Sequence, residues 1–145
     1  MSPDAVFGLC NAIAMIGWII LLFISPFVFN YEKFVIGIIV TLFGIVYTWF
    51  IFSSFSPGDM KSFGSLDGVM KLFENKTLVT AGWVHYLAFD LVTGIWIQKN
   101  AQKHMINHWI TVPCLLFTFM LGPFGLLLYL GIRWIKTKRY FAENY

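Results

Sequence analysis

Four long apolar stretches, each broken off by polar or turn-forming residues, set the pattern of this chain. They cover residues 5–24, 34–55, 78–97 and 110–134. Each reaches the twenty or so residues needed to cross about 30 Å of hydrocarbon. The pattern predicts an all-α integral membrane protein, a bundle of four transmembrane helices forming a single domain over residues 1–145. Pro26 and the short polar run at residues 30–33 separate the first two stretches and make them antiparallel neighbours. A longer connection, residues 56–77, opens on a Ser-Pro-Gly-Asp turn signal. It then places Leu66, Val69, Met70 and Phe73 on one helical face, with Asp67, Lys71, Glu74 and Asn75 on the other. This predicts a short amphipathic helix at the membrane interface, and in its sharper form a lid over a cavity between the spans.

Composition strengthens the membrane reading. Hydrophobic residues make up 59% and charged residues 12%, against about half and a quarter in soluble domains. The net charge of +3 says little by itself, and no nucleic-acid partner is expected, but its distribution bears on orientation. With four spans, both termini and the middle connection share one side. That side carries Lys61, Lys71, Lys76, Arg133, Lys136, Lys138 and Arg139, whereas the other carries Lys33, Lys99 and Lys103. The positive-inside rule then puts both termini inside. The first apolar run has no basic leader and is too long for a signal core, so a bacterial cytoplasmic membrane is the expected location. Cys10 and Cys114 fall about 15 Å apart in depth. That is beyond bridging distance, so both are expected as free thiols.

Polar residues inside the spans sort into packing and chemistry. Asn11 is expected to bond across to a neighbouring helix. Gly37, Thr41, Gly44 and Thr48 recur on one face of the second span and predict a close packing seam. Tyr47 and Trp49 fall toward the inner end, where amphipathic rings prefer the interface. His104 and His108 are one turn apart, but no Cys, Asp or Glu stands near to complete a metal site. They read as a solvated interfacial pair with no metal. Asn75-Lys76-Thr77 fits a glycosylation pattern, by coincidence if it lies inside.

The chemistry concentrates in residues 82–94, GWVHYLAFDLVTG, where a histidine, a tyrosine and an aspartate sit among apolar neighbours. An ionisable group at that depth costs roughly 2.5–3.5 kcal/mol and is normally kept only where it faces protein, water or a ligand. On a helical wheel, Trp83, Tyr86, Gly94 and Ile97 cluster near Asp90, while His85 points about 140° away and about 7.5 Å along the axis. Burial favours the neutral forms of Asp90 and His85, suited to giving and taking protons. The fourth stretch carries Gly122-Pro123-Phe124-Gly125, which predicts a kink that leaves the Phe119 carbonyl without its usual donor.

These two stretches, HYLAFDL within residues 82–94 and PCLLFTFMLGPFGLLLY over residues 113–129, resemble the abscisic-acid-deficient-four family, whose plant members are associated with neoxanthin synthesis. The resemblance implies a four-span fold and xanthophyll chemistry, in which an epoxide opens and a proton leaves to give an allene. It implies a general acid and a base, for which His85 and Asp90 are the candidates, with Tyr86 as orienter or proton donor. An isomerisation needs no redox cofactor. The polyene would lie in an apolar groove walled by Trp83, Phe89, Phe119 and Pro123. The expected function is therefore an isomerase-type protein acting on or binding a carotenoid or other isoprenoid lipid. The alternative is a non-catalytic pigment-binding scaffold or subunit with a membrane-protein partner.

Overall fold

The computed structural model describes residues 1–138, and among them there are helices and no strand. The first apolar stretch is α1 (Pro3–Ile19), continued by a π-helical segment, Ile20–Ile24. The Ser2 hydroxyl accepts from the Ala5 amide at the start of α1, and Pro3 occupies a position that needs no N–H partner. The second rod runs through α2 (Tyr31–Phe34), a π-helical segment (Val35–Val40) and α3 (Thr41–Ser54). A 3-10 segment, Pro57–Gly64, leads to the short α4 (Leu66–Leu72), in the place where the amphipathic helix was expected. Then comes α5 (Lys76–Lys103), on which the first two rods and the last two helices pack. Asn75, read above as part of a glycosylation pattern, caps α5, its side-chain oxygen accepting from the Thr77 and Leu78 amides. The chain finishes with α6 (His108–Leu121) and α7 (Pro123–Thr137).

Three rods, of 22, 24 and 28 residues, are long and apolar enough to cross a membrane. Their register is fixed by a few side-chain pairs. Asp4 lies 3.6 Å from Lys76, the Trp83 indole donates to the Asn11 side-chain oxygen at 3.0 Å, and Gly94 lies against Trp18 and Leu21. So α1 and α5 run parallel, and the bond expected of Asn11 is present. The second rod runs antiparallel to both, with Tyr47 beside His85 near one end and Tyr31 under Lys99 at the other. The end that carries Ser2 and the α3–α5 connection is called proximal below, and the opposite end distal.

A fourth helix long enough to span is not found among the described residues. Instead of one kinked span, α6 and α7 make a hairpin. Phe117 meets Phe124 edge-on at 5.2 Å. A Cβ placed on Gly125 would run into the Thr118 amide and hydroxyl and the Cys114 carbonyl. Further along α7, Tyr129 and Arg133 both donate to the side-chain oxygen of Asn100, at 2.7 and 3.2 Å. α6 therefore descends from the distal end to the level of Asp90, and α7 returns to the end where it began. Gly122 makes the reversal with φ of 49°, a conformation that favours glycine. Pro123 then opens α7, where its missing N–H costs nothing. Each arm, of 14 and 15 residues, is only about 21–22 Å long.

The reversal moves the charges. Lys33, Lys99, Lys103, Arg133, Lys136 and Lys138 gather at the distal end with one acid, Glu32. Lys61, Lys71 and Lys76 stay at the proximal end with Asp4, Asp59, Asp67 and Glu74. Arg139 lies outside the described residues. The start of α1 and the end of α7 lie at opposite ends of the molecule, whereas the four-span reading put them on one side. The expected packing seam is corrected too. Gly37, Thr41, Gly44 and Thr48 are exposed, and a methyl group added at Gly37 or Gly44 would touch nothing within 4 Å. Cys10 and Cys114 are buried free thiols, as expected.

Candidate functional site

The three polar residues of the third apolar stretch diverge. Asp90 is 8% exposed and faces the hairpin turn, where a Cβ placed on Gly122 would lie 2.9 Å from its Oδ1. Its Oδ2 is buried without a hydrogen-bond partner, and Tyr86, one turn earlier, stands beside the carboxyl group. His85 points the other way. Its ring stacks on Phe89 at 4.5 Å and lies 5.6 Å from the ring of Tyr47 on α3. The five-residue spacing seen in the sequence already separated these directions, and tertiary packing gives each its own neighbours. His85 lines the cavity described next, and Asp90 is not among its lining residues.

His85 and Tyr47 wall an apolar cavity of about 210 Å³. Ile51 and Phe55 of the second rod form one side, Leu78 and Gly82 of α5 another. Phe63, Leu72 and Phe73 cover it from the 3-10 segment and the end of α4. Of the apolar face expected for the amphipathic segment, Phe73 reaches this cavity, while Leu66 and Met70 are exposed. Tyr47 was missed as a member because its spacing reads only as an interfacial anchor; the antiparallel register of α3 and α5 brings it to His85.

The expected substrate wall disperses. Trp83 bonds Asn11 on α1, and Phe119 packs against Trp18 at 5.5 Å. Phe89 is 60% exposed, and Pro123 is exposed at the hairpin turn. Of the four, Phe89 touches the cavity region, through its stack on His85.

His108 has a structural task. Pro26 has no N–H to give the Leu22 carbonyl four residues earlier, and the His108 Nε2 lies 2.8 Å from that oxygen. A carbonyl only accepts, so Nε2 carries the proton and Nδ1 accepts from the Gln98 amide at 2.8 Å. The solvated-pair reading is thus replaced, for His108, by a buttress joining α1, α5 and α6. His108→Ala strips the donor from Leu22 and the acceptor from Gln98. A loss of about 2–3 kcal/mol is expected in chemical unfolding, with His108→Gln recovering part of it. No group of three or more metal-ligating side chains occurs among the described residues.

Asn100, Tyr129 and Arg133 form a second buried polar cluster. Arg133 is 1% exposed, where the charge count had set it among the residues flanking a span. Nothing along α7 alone distinguishes the two, since only the hairpin turns Arg133 toward α5.

Long apolar rods, a helical hairpin turned back at mid-depth and ionisable groups buried between helices are features compatible with the helical membrane-protein class. Within that class the chain belongs to the ABA DEFICIENT 4-like family, whose model matches residues 5–129. No curated protein and no solved structure matches it.

Proposed function

We propose that this protein is an integral-membrane protein that binds the end group of a polyene or isoprenoid lipid in the cavity between α3, α4 and α5. The observation that carries the reading is the apolar cavity with an imidazole and a phenol in its wall, covered by a short amphipathic lid. A volume of 210 Å³ suits a ring or a few isoprene units, the rest of the chain lying among acyl tails. Family membership supports this ligand class. Gly82 lies at the wall, and a Cβ there would be 3.6 Å from Phe73. Gly82→Leu therefore fills the cavity without entering backbone. Fluorescence titration of detergent-purified protein with a carotenoid is expected to show about tenfold weaker binding by this variant, roughly 1.4 kcal/mol. Unchanged binding would place the ligand elsewhere.

A catalytic reading rests on His85 and Tyr47 facing one cavity. Proton exchange at a bound end group would use that pair as base and acid, with Asp90 and Tyr86 kept for the hairpin turn. His85→Gln is then expected to retain ligand and lose product, as read by pigment chromatography. The scaffold reading, with a membrane-protein partner, keeps binding and has no chemistry to lose. For orientation, six basic residues at the distal end against three at the proximal end favour a distal end facing the cytoplasm of a bacterial membrane. The start of α1 would then lie outside.

A further inference from the structure

The distal end holds a second pocket, of about 300 Å³, between the end of the first rod, the turn that follows it, and the last turns of α5. Ser25, Phe27, Phe29, Tyr31, Lys99 and Gln102 line it. We infer that this pocket binds the phosphate-bearing headgroup of an anionic membrane lipid.

Three observations converge on that chemistry. The first is an unmet donor. Tyr31 is 4% exposed and its hydroxyl is buried with no hydrogen-bond partner. A buried hydroxyl left unpaired is costly, and an acceptor oxygen delivered by a ligand removes that cost. The second is a positioned cation. The Lys99 ammonium lies over the Tyr31 ring, 5.2 Å from its centroid, and 2.9 Å from a Glu32 carboxylate oxygen. An ammonium has three donors. Glu32 takes one and fixes the head at the pocket, leaving the others for a phosphate. The third is the field. Among the described residues, Lys33, Lys99, Lys136 and Lys138 stand at the distal end with the single acid Glu32, whereas Lys61, Lys71 and Lys76 share the proximal end with Asp4, Asp59, Asp67 and Glu74. That field draws negatively charged headgroups to one end only.

The surroundings suit a lipid rather than a free ion. Phe27 and Phe29 are 79% and 94% exposed beside the polar floor. There they offer apolar contact to the glycerol and first acyl carbons while phosphate oxygens meet Lys99 and Tyr31. Aromatic side chains favour this interfacial depth. The inference rests on the membrane reading proposed above but not on the polyene, which would occupy a cavity at the proximal end.

The test is native mass spectrometry of protein purified in a mild detergent, with phosphatidylglycerol or phosphatidylcholine of identical acyl chains added. The wild type is expected to retain phosphatidylglycerol about tenfold more strongly. Tyr31→Phe removes one unpaired hydroxyl and keeps the packing, so it tests the site with the fold intact. It and Lys99→Gln should each lower that preference several-fold, while Lys61→Gln at the other end leaves it unchanged. Equal retention of the two lipids overturns the inference. So does a preference that survives both Tyr31→Phe and Lys99→Gln, or one that Lys61→Gln reduces equally. Inorganic phosphate binding as tightly as the lipid overturns the lipid assignment. A protein that stays soluble without detergent refutes the membrane reading separately.

Discussion

Gly125→Ala is expected to pull the α6–α7 hairpin apart, costing about 3 kcal/mol of stability in chemical unfolding. In the structure the added methyl group meets the Thr118 amide and hydroxyl and the Cys114 carbonyl. Two of these three atoms belong to backbone and cannot rotate away. Overpacking of this kind costs typically 1–3 kcal/mol, and here the top of that range applies because no flexible side chain can yield. The matched control is Gly131→Ala on the same helix, where the added methyl touches nothing within 4 Å. That change should be neutral or slightly stabilising, since alanine favours helix by up to about 1 kcal/mol. The contrast separates two folds. In one continuous kinked span Gly125 would be an ordinary helical position, and the two substitutions would behave alike. Equal tolerance at both positions therefore refutes the hairpin.

Cysteines placed at Ser2 and Lys138 are expected to react with a membrane-impermeant thiol reagent from opposite sides of the membrane. A four-span bundle predicts the same side. Both native thiols are buried and contribute little background. From the positive-inside rule, Ser2→Cys should label in intact cells and Lys138→Cys only after the membrane is opened. The effect is all-or-none. Labelling of both positions in intact cells would overturn the opposed arrangement, and the reverse pattern would keep it but invert the orientation.

Much of the fold was legible along the chain. The rods over residues 5–24, 34–55 and 78–97 appear close to their expected places because a run of apolar residues cannot be solvated and is best satisfied as helix. The direction of Asn11 was legible as well, since an amide within an apolar helix needs a partner and Trp83 supplies one. The divergence of His85 from Asp90 followed from helical geometry alone.

The fourth stretch misled for an identifiable reason. A Gly-Pro pair in an apolar run is consistent with a kink or with complete reversal, because both satisfy the local torsional rules. What chooses between them is non-local. Gly125 permits backbone-to-backbone approach only if α7 lies on α6, and Asn100 receives Tyr129 and Arg133 only if α7 climbs back beside α5. The charge count inherited the error, since Arg133, Lys136 and Lys138 were assigned to the other end. Tyr47 was hidden likewise, being 38 positions from His85 in the chain and joined to it only by helix register.

By itself, then, the amino-acid order determined the helical class, three apolar rods, the amphipathic connection, the free thiols and the family. Each of these is a property of local periodicity or of residue types close together along the chain. The tertiary structure decided the hairpin, the opposed ends, the cavity beside His85 and the positive distal face. These depend on which helix surfaces meet, and that is settled by fit between residues far apart in the chain, where a single glycine admits an approach that any side chain would block.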